Sequence, residues 1–482
     1  MIPGYPPMPD EPAVWPRVAV LILNYNGWRF MPACLEALAA TDYPAGQLEI
    51  VVIDNASSDG TVAQMRARYP EVRTLALAEN TGFSGGNNAG IRATDTPYVV
   101  LLNNDTAVDP GWLKPLVRAA ESDPRVGGCG AKLLYFYADL PLQVRVERSF
   151  VPARDLDGNG DGRVLGVRLA AAALAGDAIG AQVGYGSGWY DREGSGPGAY
   201  RWSSDAAVLN LPVGAPNTPL ELKLSFAGGP PAPLQPAVVR LAIGDTVLHT
   251  VEVGAEPVEA TLVIPAELTL LARRAIQNAG TELLPGGYCR DRGSYVEDGV
   301  ERHAFDGAYE RQEEVFGLCG AALLLRRAML DEIGLLDDRF FMYYEDIDLC
   351  WRGRFAGWTF MYVPAAVVRH IHSGSSGEWS PLFRFHVERN RLLMLLKNAP
   401  RPLAARAVGG YAAETGRWIW RSLRALRQGR RSAAASWAFA RNNSRVLASL
   451  LLAAPAVLRQ RRRIRRQARI NDAVILGWMV KP

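Results

Sequence analysis

The sequence predicts an α/β protein interrupted by an all-β, sandwich-like insert, and three observations carry that expectation. Short apolar runs at 17–24, 49–54 and 98–103 each end in polar residues and are separated by helix-like stretches. From 138 to 275 the texture turns to Gly/Pro-rich sequence with short alternating runs. From about 401 onward the chain is rich in Ala, Leu, Arg and scattered Trp, as helices are. With 482 residues, 49% hydrophobic and 21% charged, the chain has enough apolar material for two or three folding units and is too apolar to be disordered.

Taken in order, Arg17-Val-Ala-Val-Leu-Ile-Leu-Asn24 reads as a buried parallel strand ending at a functional edge. A helix follows from Met31 to Ala40, then a second strand, Glu49-Ile-Val-Val-Ile-Asp54, whose exit Asn55-Ala-Ser-Ser-Asp-Gly-Thr61 supplies turn and cap residues, Asp59 among them. The third strand is Tyr98-Val-Val-Leu-Leu-Asn103. Polar residues at the carboxyl end of each strand place a ligand along that edge. Leu220–Phe226, Val238–Ile243, Val247–Val253 and Val258–Ile264 alternate as sandwich strands do. Helical and α/β character resumes near Ile276, so the β unit interrupts one domain: 14–137 and 276–400 form the halves, 138–275 the insert, and 401–482 a helical tail.

Chemistry-bearing residues fall at the predicted strand ends. Asp54 can accept hydrogen bonds from a base or ribose, and Asn80-Thr-Gly-Phe-Ser-Gly-Gly-Asn-Asn-Ala-Gly90 offers close backbone approach, with Asn87 and Asn88 as polar readers. In Leu101-Leu-Asn-Asn-Asp-Thr106, Asp105 sits where a cation on a diphosphate would lie. In Val368-Arg-His-Ile-His-Ser-Gly374, His370 and His372 alternate toward one side, and one of them is expected to touch metal or phosphate. The segment Phe340-Phe-Met-Tyr-Tyr-Glu-Asp-Ile-Asp-Leu-Cys-Trp-Arg352 sets Glu345, Asp346 and Asp348 among aromatics, where mutual repulsion raises one carboxyl toward base duty.

The ordered set Ile22-Leu-Asn-Tyr-Asn-Gly27, Val52-Ile-Asp-Asn-Ala-Ser57, Asn80–Gly90, Asn103-Asn-Asp105, Phe340–Arg352 and the His370 segment resembles the family 2 glycosyltransferases, particularly the rhamnosyltransferase-like and galactofuranosyltransferase-like members. The resemblance covers roughly 14–137 and 276–400. It implies a GT-A, Rossmann-like mixed sheet and inverting transfer from a nucleoside-diphosphate sugar, dTDP-rhamnose or a UDP-sugar, to a glycan or lipid-linked acceptor. It also implies roles for individual residues: Asn24, Asp54, Asn80, Gly82, Asn87 and Asn104 around the nucleotide-sugar, and Asp105 with His370 on Mg²⁺ or Mn²⁺. Asp346 becomes the general base, with Glu345 beside it. Asn103 departs from the family's DxD pattern, which puts metal dependence in question. Two other readings are a catalytically inactive carbohydrate-binding protein and a sugar-nucleotide pyrophosphorylase, whose Gly-rich basic start Asn24-Tyr-Asn-Gly-Trp28 does not supply.

Charge separates the two ends of the chain. Residues 381–482 hold 22 Lys or Arg against Glu388, Glu414 and Asp472, a net +19, whereas the first 380 sum to about −15. An Arg/Trp-rich helical segment suits an anionic membrane surface, and nothing resembles a nucleic-acid-binding module. No apolar run reaches the roughly 20 residues of a span, and the first residues lack a secretory pattern, so a cytoplasmic location at the inner membrane face is expected. Five Cys without CxxC spacing read as free thiols. Within the insert, Gly188-Trp-Tyr-Asp191 and Ala199-Tyr-Arg-Trp202 are either core or sugar-stacking aromatics, and Asp155–Gly162 reads as a solvated turn rather than a calcium loop.

Overall fold

Alternation along the first strand shows how the sheet is layered. Val18, Val20 and Ile22 of β1 (Val18–Asn24) enter one hydrophobic core, and Ala19 and Leu21 enter another on the opposite face. A strand buried on both sides is the centre of a sheet covered twice. The computed structural model describes residue 12 and residues 14–156, 159–175, 182–231, 234–297, 300–371, 380–428 and 433–480. The chain divides into two compact units, Phe136–Ala275 and the remainder.

The larger unit is built on a 10-stranded mixed sheet. After β1 come α1 (Met31–Ala39), β2 (Leu48–Asp54), α2 (Thr61–Arg68), β3 (Arg73–Ala76), α3 (Gly82–Arg92), β4 (Tyr98–Asn103), β5 (Thr106–Val108), α4 (Leu113–Glu121) and β6 (Val126–Tyr135). β1 pairs in parallel with β2 and β4, and β2 with β3. The Ala322–Arg326 strand runs antiparallel between β4 and β6, and the Thr359–His370 strand lies parallel to β6. Register sets Asn24 beside Asp54, and Leu23 beside Asn103, at one edge of the sheet. On its far margin β5 pairs with the end of the Thr359–His370 strand, His370 opposite Thr106.

The insert is sandwich-like. A five-stranded and a four-stranded antiparallel sheet share one core, in which Leu140, Leu142 and Val144 of the Ala138–Glu147 strand meet Leu222, Leu224 and Phe226 of the Leu220–Gly228 strand. Every second residue of Ala138–Glu147 is buried, the mark of a strand with one face in a core. The chain re-enters the larger unit where Ile276 pairs antiparallel with Leu134 of β6.

Residues 401–482, set apart in the sequence reading as a tail, share a core with the 276–400 half. Ile347, Trp351 and Phe355 of the Glu345–Phe355 helix and Leu392–Leu395 of the Pro381–Asn398 helix pack with Tyr411 of the Arg401–Arg427 helix. Val446, Leu450, Val457 and Ile464 of the Ala433–Gln467 helix complete that core. Among the described residues no helix is long and apolar enough to cross a membrane, and all five Cys are free.

Candidate active site

The edge of β1, β2 and β4 carries a polar lattice. Asn24 is buried, donates to Ser57 Oγ (3.2 Å) and Thr61 Oγ1 (3.1 Å), and accepts from Asn104 Nδ2 (2.6 Å). Asp54 accepts from the Ser57 backbone N–H at 3.1 Å. A Cβ at Gly27 would strike Asn104 Nδ2 and lie 2.7 Å from Asn24 Oδ1, so glycine is required for the chain to pass this cluster. Asp59 caps locally: it accepts from Thr61 N–H (3.1 Å), Thr61 Oγ1 (2.6 Å) and Trp28 N–H (2.9 Å).

The Asn80–Gly90 segment, read in sequence as a loop approaching a ligand, is mostly the helix α3. Asn80 Oδ1 accepts from Gly82 N–H (2.9 Å) and from Asn55 Nδ2 (2.9 Å), which positions the turn into that helix. Gly82 has φ of +73°, and a Cβ there would collide with the Phe341 carbonyl and ring. Phe83 and Ser84 N–H both point at Phe341 O, at 2.5 and 3.2 Å. Asn87 is buried, donates to Phe83 O (2.9 Å), and leaves its Oδ1 without a partner among the described residues. Asn88 is not a ligand reader: it is spent on Leu336 O (2.8 Å), Asp338 Oδ1 (2.6 Å) and Leu336 N–H (3.1 Å), tying α3 to the segment before the acidic motif.

Asp105 and His370 come together as the sequence expected. Both are buried, with His370 Nε2 3.1 Å from Asp105 Oδ1. Asn103 Nδ2 also approaches that nitrogen at 3.2 Å, and His370 Nδ1 sits 2.6 Å from Gln277 Oε1. The backbone closes the corner, Ile371 N–H donating to Asp105 O at 3.0 Å. A carboxylate oxygen and an imidazole nitrogen converging on one space are a donor pair suited to a divalent cation, with Gln277 fixing the ring from behind. No group of three His, Cys, Asp or Glu that could hold a metal occurs among the described residues. His372 lies outside the described residues.

The acidic motif divides into three different environments. Asp348, fully buried, is an ion-pair residue rather than part of a catalytic cluster: it meets Arg352 Nε (2.9 Å), Lys397 Nζ (2.7 Å) and Asn398 Nδ2 (2.8 Å). Lys397 reaches Asp337 as well, at 2.7 Å. Glu345 is buried with Oε2 unpartnered among the described residues. Burial, then the charges of Asp346 and Asp348, push its carboxyl well above the ordinary range. Asp346 is half-buried and accepts from Gly320 N–H (2.9 Å) and Ile347 N–H (2.7 Å). Burial raises it to about 6, with Asp291's charge adding and the two N–H donors opposing. Gly320 leads directly back to the sheet edge, because Ala321 O accepts from Asn103 N–H at 3.0 Å.

The turn before Asp346 is strained. Phe341, Tyr343 and Tyr344 have φ of 62°, 69° and 70°, which non-glycine residues adopt at about 1–2 kcal/mol each. Asn390, from the Pro381–Asn398 helix, clamps it by donating to Phe340 O (2.6 Å), Met342 O (2.7 Å) and Tyr343 O (2.9 Å). Asn390, Gln277 and Gly320 escaped the sequence reading because each acts from far along the chain with no local pattern. In the insert, guanidinium groups lie over the aromatic faces: Arg163 over Tyr190 (5.1 Å), Arg201 over Tyr185 (5.0 Å), and Arg168 over Tyr200 (5.4 Å) and Trp202 (5.5 Å). That arrangement favours a structural role over sugar stacking. Asp155 and Asp161 pair with Arg154 and Arg163, consistent with a solvated turn, and residues 157–158 lie outside the described residues.

Comparison with known proteins finds similarity over the stretch that forms this edge. Residues 19–161 match the model of Glycosyl transferase family 2. Over 60 residues the chain is 47% identical to an N-acetylglucosaminyl-diphospho-decaprenol L-rhamnosyltransferase of Mycobacterium tuberculosis, covering 12% of this chain and 20% of that one. It is 30% identical over 102 residues to the glycosyltransferase AglE of Haloferax volcanii, covering 20% and 34%. It is 32% identical over 108 residues to the succinoglycan biosynthesis protein ExoO of Rhizobium meliloti, covering 22% and 30%. The chain thus spans about a third or less of the length of these relatives. Among solved structures, a mannosyltransferase from Pyrobaculum calidifontis in complex with GDP-Man and Mn²⁺ aligns over 92% of this chain and 88% of its own, at 13% identity and a TM-score of 0.36. GalNAc-T7 with UDP, GalNAc and Mn²⁺ aligns over 79% and 48%, at 10% identity and a TM-score of 0.42. The match to Glycosyl transferase family 2 spans residues 19–161, the stretch that supplies β1, β2 and β4 of this edge.

Proposed function

We propose that the chain is an inverting glycosyltransferase of cell-surface polysaccharide synthesis. It moves a sugar from a nucleoside-diphosphate donor, dTDP-rhamnose or a UDP-sugar, to a glycan or lipid-linked acceptor at the inner face of the cytoplasmic membrane. The observation that carries the reading is Asp346. Its carboxylate is fixed by two backbone N–H donors, is raised to about 6, and is joined through Gly320 and Ala321 to the strand end at Asn103. A base that loses its proton just below neutral pH suits the removal of a proton from an acceptor hydroxyl.

In this reading Asn24, Asp54, Asn80, Gly82, Asn87 and Asn104 line the donor side. Asp54 accepts from the nucleoside, and the unpartnered Asn87 Oδ1 is turned to a donor group of the ligand. Asp105 and His370 would hold Mg²⁺ or Mn²⁺ beside the donor's diphosphate. The cation, when bound, supplies positive charge against the departing diphosphate. Asp346 takes the acceptor proton as that hydroxyl attacks the anomeric carbon, and one displacement without a protein nucleophile inverts the configuration. Glu345, buried beside the base with its carboxyl pushed above the ordinary range, shapes its surroundings. The names of the mycobacterial and rhizobial relatives, a diphospho-decaprenol rhamnosyltransferase and a succinoglycan biosynthesis protein, support the substrate class.

The test is nucleotide release from dTDP-rhamnose, UDP-galactofuranose and UDP-glucose with Mn²⁺, Mg²⁺ or EDTA and a lipid-linked glycan extract. Release from one donor, lost in EDTA, is expected. Carbohydrate binding with no nucleotide bound or released from any donor would favour the inactive carbohydrate-binding alternative.

A further inference from the structure

We propose that one exposed face of the Ala433–Gln467 helix is a docking surface for an anionic lipid bilayer, its leucine end entering the headgroup region and its arginine end holding lipid phosphates. This rests on the membrane-surface part of the reading above and assigns it to specific residues. Leu451 and Leu458 lie two turns apart with Leu452 beside them, and all three stand exposed, at 75%, 85% and 47%. The same face continues into Arg459, Arg462, Arg463 and Arg466, all exposed, which with Gln467 line a groove of about 380 Å³.

The fold does not need these four arginines. Their neighbours Arg461 and Arg465 turn inward and cap the Pro381–Asn398 helix, Arg461 donating to Leu396 O (3.0 Å) and Ala399 O (2.7 Å) and Arg465 to Asn398 O (2.6 Å). The outward four have no hydrogen-bond or ion-pair partner among the described residues. Four like charges at i, i+3 and i, i+4 oppose the helix that bears them. Lipid phosphates would reverse that repulsion, and the net +19 of residues 381–482 complements an anionic surface. The Arg401–Arg427 helix repeats the chemistry: Trp420, Leu423 and Leu426 are 58%, 48% and 58% exposed, with Arg424 over the Trp420 ring at 5.4 Å. Exposed apolar side chains beside guanidinium groups, on helices that cannot span, are the pattern of a protein lying on a membrane.

The 482-residue chain is mixed with phosphatidylcholine vesicles with or without phosphatidylglycerol and sedimented. Binding only to the phosphatidylglycerol vesicles is expected. The combined variant R459E/R462E/R463E/R466E should weaken it by at least about 100-fold. The four Arg→Gln changes serve the same purpose should the Glu variant lose its helical circular dichroism. Leu451→Ser with Leu452→Ser should weaken binding several-fold while leaving its salt dependence in place. All variants should release nucleotide from a soluble donor as the unaltered chain does. Absence of vesicle binding by the unaltered chain, or unchanged binding in the arginine variants, overturns the proposal. So does a dimer that the leucine variant dissolves without any effect on vesicles. Vesicle binding as described with no nucleotide release from any donor leaves this surface standing and removes the transferase reading instead.

Discussion

Opposing effects meet at Asp346. Backbone N–H donors and the head of a helix favour the carboxylate, while burial and Asp291 favour the acid, and burial prevails to leave the group near 6. Transfer should therefore be pH-dependent with a known sign: below about pH 6 the base is protonated, so kcat/KM should fall about tenfold per unit as the medium is acidified. A profile flat down to pH 5 would remove Asp346 as the base. Glu345 supplies the complementary test in stability. Its carboxyl is raised in the folded state, so between the ordinary glutamate range and the raised value the unfolded chain binds fewer protons, and stability is lost as pH rises through that window. Glu345→Gln should accordingly raise Tm more at pH 8 than at pH 4, and an equal shift at both would contradict the assignment. At this scale the strand-end residues were legible, because Asn24, Asp54 and Asp105 each close an apolar run. Asn88 was misread and the partners of Asp348 went unseen, since sequence shows which residues are polar but not which partners will consume them.

The helices behind the site supply its rigidity. Asn390 binds three carbonyls of a turn holding three positive-φ aromatics, so the strain that aims Asp346 is stored in the turn and restrained by another helix. Asn390→Ala should lower kcat with little change in donor Kd, measured by nucleotide titration beside steady-state rates; a pure loss of donor affinity would refute the clamp. Asp348 joins the same helices. Its removal would leave Lys397 and Arg352 buried with too little countercharge, and Asp348→Ala should destabilise the chain by about 3–5 kcal/mol in denaturant titrations. A change within 1 kcal/mol would show that the network is dispensable. Strands were the readable elements, since continuous apolar runs mark the strands buried on both faces and alternation marks those of the insert. The Gly-rich α3 was not, because its composition disfavours helix and only packing against the sheet imposes it.

For the whole molecule, the insertion is the feature with the clearest consequence. The chain leaves the larger unit after Tyr135 and returns at Ile276, and Leu134 and Ile276 are register partners, so the two ends already form a hairpin-like pair. Replacing residues 136–275 with a short Gly-containing turn should leave the larger unit folded and able to bind nucleotide, as thermal denaturation with and without donor would show; a chain that no longer folds would make the insert part of the catalytic core. The change of texture near residues 138 and 276 made the insert visible in sequence, because a separate core has its own pattern. The packing of residues 401–482 against the 276–400 half was hidden, as amphipathic helices do not name the surface they will cover. The central claim, that this site transfers a sugar with Asp346 as base, is tested most directly by comparing the unaltered chain with Asp346→Asn for both donor binding and sugar transfer. The account predicts near-equal nucleotide affinity with transfer lost in the variant. Equal transfer by both, or a parallel loss of binding and transfer, would contradict it.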